Sequence, residues 1–194
     1  MSRTFHALIL AGGGGRRMGG QDKGLVEWQG KPLIDHVVDR IADQVQHIAI
    51  SANRNIETYA ERTPHVFPDA RQWQDVGPLA ALATAANDLQ LARADWLLIV
   101  PCDTPNLPDD IVGQFLIAVR AAPQCRAFYA VTAERAHYGV MFLRPQVLKT
   151  AATYLGAGLR TIRDWLEQNN ARAVLFDEEH EFANINNLED LQTE

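Results

Sequence analysis

Apolar residues along this chain fall into two kinds of run, and their alternation sets the fold. Unbroken stretches come first at Ala7-Leu8-Ile9-Leu10 and again at Trp96-Leu97-Leu98-Ile99-Val100, the most hydrophobic run of all. Neither alternates with polar residues, so each predicts a strand buried on both faces of a sheet. His47-Ile-Ala-Ile-Ser51 and the short Val66-Phe67 predict two more strands. Between them the period changes to that of a helix. Leu33, Val37, Val38 and Ile41 share one face of a helix predicted over 33–44, and further helices are predicted over 56–62, 79–89 and from Pro108 onward. A short extended piece over 24–28 precedes a turn at Gln29-Gly30-Lys31-Pro32.

The second half departs from this rhythm. Strands predicted over 126–132 and 138–143 are separated by too few residues for a parallel crossover, so they read as an antiparallel hairpin. Helices over 145–155 and 159–168 and a strand over 173–176 follow, then a terminal segment with three asparagines, Asn184, Asn186 and Asn187. Strands alternating with helices predict an α/β fold: a three-layer α/β/α sandwich on a mostly parallel, Rossmann-like central sheet that includes an antiparallel hairpin strand. No internal repeat, low-complexity tract or linker interrupts it, so residues 1–194 read as a single domain.

Composition adds exclusions. The chain is 47% hydrophobic and 22% charged, which places it with globular proteins. Its formal net charge of −6 argues against nucleic-acid binding. No apolar run approaches the roughly 20 residues of a membrane span, so no membrane association is expected. No signal peptide is read at the N-terminus, and the two cysteines, Cys102 and Cys125, have no metal-ligand spacing; a cytoplasmic protein is expected.

Candidate chemistry begins where the first strand stops. Leu10-Ala11 runs into Gly12-Gly13-Gly14-Gly15, then Arg16-Arg17-Met18-Gly19-Gly20-Gln21-Asp22-Lys23. Glycine lets the backbone approach a ligand closely, and successive N–H groups can cradle an anion beside Arg16, Arg17 and Lys23. Ligands of such sheets bind beyond the carboxyl ends of the strands. Asn53, Asp69 and Asp103 all fall just past such ends, which gathers them with the loop at one sheet edge. Neither the Walker A spacing nor the dinucleotide fingerprint G-x-G-x-x-G is met by any window of the loop.

What the loop does resemble is more specific. Leu10-Ala11-Gly12-Gly13, Arg17-Met18-Gly19, Asp22-Lys23 and Gly30-Lys31-Pro32-Leu33 are similar to the motifs of nucleotidyltransferases that activate phosphates with a nucleoside triphosphate. In order there follow Asp69 with Gly77-Pro78-Leu79, Pro101-Cys102-Asp103-Thr104-Pro105, and Asn184-Ile185-Asn186-Asn187-Leu188. Together these resemble the molybdenum cofactor guanylyltransferase (MobA-type) family over nearly the whole chain. Gly15 stands where the family form L-A-G-G-x-S-x-R-M-G-x-D-K has serine.

The resemblance implies a transferase that moves GMP from GTP to the terminal phosphate of molybdopterin, or Mo-molybdopterin, and releases pyrophosphate. It implies GTP binding by Leu10, Ala11, Gly12, Gly13, Lys23, Asp69 and Asp103, with Arg17, Lys23 and Asp103 catalytic and Mg2+ held by Asp103. A further nucleotide contact falls on Ser51 by register or on Asn53 two residues on. Asn184 and Asn186 would serve the pterin. The division implied is an N-terminal part, up to about residue 105, for the nucleotide and a C-terminal part for the pterin. Transient contacts with other proteins of molybdenum cofactor biosynthesis and with acceptor-enzyme chaperones are implied as well.

Two alternatives stay open on the residues: a related nucleotidyltransferase using CTP or another NTP on a pterin- or sugar-phosphate, and a non-catalytic nucleotide carrier. Cys102 reads as a buried filler. His137 reads as a phosphate contact or a hairpin residue. Arg160 and Arg163, taken as sharing a helix face, are either solvated or pterin-phosphate contacts.

Overall fold

The computed structural model describes residues 3–12 and 21–185. In chain order the elements are β1 (Phe5–Leu10), β2 (Glu27–Trp28), β3 (Lys31–Pro32), α1 (Leu33–Ile41), β4 (His47–Ser51), α2 (Ile56–Ala60) and β5 (Val66–Phe67). Then come α3 (Leu79–Ala85), β6 (Trp96–Pro101), α4 (Ile111–Ala121), β7 (Ala127–Val131), β8 (Ala136–Leu143), α5 (Lys149–Gly156), α6 (Ile162–Gln168) and β9 (Arg172–Leu175).

Seven strands form one sheet in the order β5-β4-β1-β6-β8-β7-β9, and β2 pairs with β3 in a separate antiparallel ribbon. β1 lies parallel between β4 and β6, with Leu10 in register with Ser51 on one side and Pro101 on the other. β8 alone runs against its neighbours, antiparallel to both β6 and β7, while β9 returns parallel to β7. The expected hairpin is therefore the device that reverses the sheet. No helix among the described residues is long and apolar enough to cross a membrane.

The unbroken apolar strands serve both faces at once. Because successive side chains point to opposite sides of a strand, Ala7, Ile9, Trp96, Leu98 and Val100 pack against α1 and α4, through Ile34, Val37, Ile41, Ile111 and Phe115. Leu8, Leu97 and Ile99 face the other layer, built from Leu79 and Leu82 of α3, Leu155 of α5 and Trp165 of α6. Each such side chain, fully withdrawn from water, contributes on the order of 2 kcal/mol. A run with polar residues on alternate positions could not be covered on both faces.

Several predicted boundaries shift for local reasons. The helix expected over 79–89 stops at Ala85, because Asp88 folds the chain back by accepting the N–H groups of Gln90 and Leu91 at 2.9 and 2.8 Å. The helix expected over 159–168 begins only at Ile162; Gly158 turns at φ +83° and Thr161 is extended. Arg160 consequently lies before α6 and donates to the Leu155 and Leu159 carbonyls, while Arg163 pairs with Glu167, so the shared helix face does not exist. Lys23–Leu25 is a 3-10 turn, leaving only Glu27–Trp28 of the extended piece to pair, and Pro145–Leu148 forms a 3-10 turn ahead of α5. The β2–β3 turn places Gln29 and Gly30 at φ 48° and 83°, the twist a two-residue hairpin needs.

Candidate functional site

The carboxyl edge of the parallel strands gathers two polar clusters, one on each side of β1. Past the end of β1 the ladders continue: the Ala11 N–H donates to the Ser51 carbonyl at 2.8 Å and the Cys102 N–H to the Leu10 carbonyl at 3.1 Å. Leu10 and Ala11 are thereby fixed between the segments that follow β4 and β6.

On the β4 side, Asn53 and Asp69 grip each other twice. The Asn53 amide donates to Asp69 Oδ2 at 2.7 Å, and the Asp69 N–H donates to Asn53 Oδ1 at 2.9 Å. Ser51, fully buried, points its hydroxyl at Asp69 Oδ1 from 3.4 Å. Gly12 completes this cluster, its carbonyl 3.4 Å from the Asn53 amide. A Cβ at position 12 would stand 3.0 Å from Asn53 Nδ2 and 3.6 Å from Asp69 Oδ2, so glycine is what lets the β1 end come this close. Burial pushes the Asp69 carboxyl above its usual range, opposed by the Asn53 and Ser51 donors. Asn53 is exposed whereas Ser51 is not, so of the two alternatives only Asn53 presents its side chain outward.

On the β6 side, Asp103 is the meeting point. Lys23 forms an ion pair with its Oδ2, and the Asn184 amide donates to its Oδ1 at 2.8 Å. The Asp103 carbonyl also accepts the Ile185 N–H at 2.9 Å, which pins the residue that follows Asn184. Asp103 is 8% exposed, largely inside the fold. A lysine 80 positions before Asp103 and an asparagine 81 positions after it thus share its carboxyl group. Cys102, next to it, is buried, and burial together with the neighbouring Asp103 charge pushes its thiol far up, consistent with a filler and not a nucleophile.

Lys23 owes its place to a clamp that local spacing does not reveal. The Tyr59 hydroxyl donates to Asp22 Oδ1 at 2.6 Å and the Asn55 amide to Asp22 Oδ2 at 3.0 Å. Asn55 sits in the left-handed region, at φ 50°, to deliver that amide. Gly24, on the other side of Lys23, leaves room for the Tyr59 ring. The separation of 37 positions between Asp22 and Tyr59 hid this contact from any short-range pattern.

A cavity of about 270 Å³ opens beside Asp103, lined among others by Pro101, Arg135, Tyr138, Phe182 and Asn184. His137 borders it but is tied down: it stacks on Phe182 with ring centroids 4.8 Å apart, and its Nε2 lies 3.3 Å from Thr132 Oγ1 and 3.2 Å from Glu179. Burial lowers its pKa, with Glu179 opposing. Of the two readings of His137, the hairpin residue describes its contacts. Gly13, Arg17 and Asn186 lie outside the described residues.

A largely parallel sheet with a glycine-ended first strand, and with polar clusters where the next strands end, is the architecture of an α/β nucleotidyltransferase. Comparison with known proteins makes the class specific: the chain belongs to the MobA-like NTP transferase domain family, which matches residues 7–173. It is 57% identical over 190 residues, 98% of each chain, to the molybdenum cofactor guanylyltransferase of Neisseria meningitidis serogroup C. It is 42% identical to that of Shewanella amazonensis, over 99% of this chain and 96% of the relative. The solved structure of molybdopterin-guanine dinucleotide biosynthesis protein A from Archaeoglobus fulgidus shares the fold, with a TM-score of 0.75 at 22% identity over 96% of this chain and 95% of that one. The chain is an enzyme, a nucleotidyltransferase of molybdenum cofactor biosynthesis.

Proposed function

We propose that the enzyme transfers GMP from GTP to the terminal phosphate of molybdopterin, forming the guanine dinucleotide and releasing pyrophosphate. The observation that carries this reading is the shared carboxylate: Asp103 takes Lys23 from the glycine-loop side on one oxygen and Asn184 from the C-terminal side on the other. Two substrates that must react at one phosphorus need two half-sites meeting at one point. The names of the relatives supply the guanine and the molybdenum cofactor.

In this reading Leu10, Ala11, Gly12 and Gly13 line the nucleotide with their backbone. Asn53 contacts it directly, and Asp69, to which Ser51 points its hydroxyl, holds Asn53 in place. Residues up to about 105 form the nucleotide half of a single domain, and the C-terminal part, with Asn184 and Asn186, forms the pterin half. An oxygen of the acceptor phosphate attacks the α-phosphorus of GTP; the new P–O bond forms as the bond to the β-phosphate bridging oxygen breaks, and pyrophosphate leaves with that electron pair. Because the second pKa of a phosphate monoester is about 6, the nucleophile is ionised at neutral pH and no general base is required. Alignment and charge neutralisation remain the main barriers. Arg17 and Lys23 meet the charge on the triphosphate and on the leaving group.

Asp103 also fits a divalent cation. Its oxygen donors suit Mg2+. Among the described residues no three His, Cys, Asp or Glu side chains form a metal cage, and Mg2+ needs none, taking one or two carboxylates beside phosphate oxygens and water. When bound, Mg2+ would neutralise triphosphate charge, with Asp103 as its protein ligand. Pyrophosphate release with molybdopterin and each of the four NTPs tests the whole reading. Preferred turnover with GTP is expected, and preferred turnover with CTP would refute the guanine assignment.

A further inference from the structure

Acceptor and GTP are both polyanions, yet among the described residues Lys23 is the cation at Asp103, and the reading above gives it to the triphosphate. The acceptor phosphate needs a positive charge of its own. Of the described residues lining the cavity beside Asp103, Arg135 alone is permanently cationic; burial keeps His137 neutral near pH 7.

Arg135 is also held in a way that leaves it able to bind. Its Nε donates to Glu179 Oε1 at 2.7 Å. Among the described residues no acceptor lies within hydrogen-bond reach of its two terminal amino groups, and the side chain is 57% exposed. Glu179 is itself secured: Thr132 donates to its Oε2, and His137 lies 3.2 Å away. The Thr132 hydroxyl above all, with His137 and Arg135, holds the Glu179 carboxyl below its usual range, so it stays anionic. The 3-10 turn that carries Glu179, Glu179–Phe182, leads within three residues to Asn184 and Ile185 on Asp103. One short strap therefore orients the cation and the asparagine on the same cavity.

From this geometry we propose that Arg135 receives the terminal phosphate of the acceptor in the cavity beside Asp103, with Glu179 as the positioning residue that aims the guanidinium by its Nε. A planar guanidinium whose two amino groups meet no acceptor among the described residues presents the fork that a phosphate monoester accepts. The inference rests on the reading that the acceptor is such a monoester.

The test varies molybdopterin at saturating GTP, then GTP at saturating molybdopterin. Arg135→Gln should raise KM for molybdopterin about tenfold or more, the loss of a charge-assisted hydrogen bond, and leave KM for GTP and the melting temperature unchanged. Arg135→Lys, which keeps the charge without the fork, should raise it less. A parental molybdopterin KM in Arg135→Gln, an equal rise in both KM values, or loss of folding in that variant would overturn the assignment. Parent turnover with CTP in place of GTP would instead refute the nucleotide assignment, and Arg135 would then be judged by the same molybdopterin KM measured under CTP.

Discussion

Gly24 and Tyr59 should be energetically coupled, and the coupling can be worked from contact distances. A Cβ at position 24 would lie 2.5 Å from Tyr59 Oη, 3.3 Å from Tyr59 Cε1 and 3.3 Å from Cys102 Sγ. Tyr59 cannot swing aside, since it is fully buried and its hydroxyl is bonded to Asp22 at 2.6 Å. Gly24→Ala must therefore either strain the core or break a hydrogen bond to a carboxylate, and about 2–3 kcal/mol is expected. Tyr59→Phe alone removes that bond while Asn55 still serves Asp22, at a cost of about 1.5–3 kcal/mol. In the double variant the obstructing oxygen is gone. Its cost should approach that of Tyr59→Phe alone, which gives a coupling of about −2 to −3 kcal/mol in a double-mutant cycle. Urea denaturation of the four proteins measures it. Strictly additive costs would refute the clamp. Because Lys23 lies between Gly24 and Asp22, the residue that Tyr59 holds, KM for GTP should rise in Gly24→Ala and partly recover in the double variant.

The remaining predictions concern the site and its pH response. Asp103→Asn should lower turnover about a hundredfold or more while GTP still binds, read by pyrophosphate release and calorimetry. Lys23→Ala should weaken GTP far more than molybdopterin, and Asn184→Ala the reverse; intact GTP affinity in Lys23→Ala would refute its role. His6, His47 and His137 have pKa values lowered chiefly by burial. The unfolded chain then binds protons that the native one refuses, so their stabilisation is present above the unfolded value of about 6.5 and is lost as pH falls through it. The urea midpoint should therefore drop between pH 7.5 and 6, above the carboxylate range, and a flat or rising midpoint would count against neutral buried histidines.

What the linear chain could disclose depended on range. Unbroken apolar runs, helical spacing and a hairpin too short to cross over are local signals, and they suffice for the α/β class, the strands around β1 and the reversal at β8. The position of Asp69 and Asp103 past strand ends follows from the same signals, because a parallel sheet delivers every such end to one edge. Helix ends were less legible. Asp88 ends α3 through bonds made after the helix, and Gly158 delays α6, which removed Arg160 from the face it was expected to share with Arg163.

By itself, then, the sequence determined which segments are strands and helices, that they stack as a sandwich, and which polar residues stand at the carboxyl edge. Only the tertiary structure decided how those residues are paired: Lys23 and Asn184 on one Asp103, Asn53 on Asp69, Tyr59 on Asp22, and Glu179 on Arg135. Periodicity reports on neighbours within a few residues, whereas these contacts join positions 16 to 81 residues apart. They form only once burial of the apolar faces has brought the strand ends together.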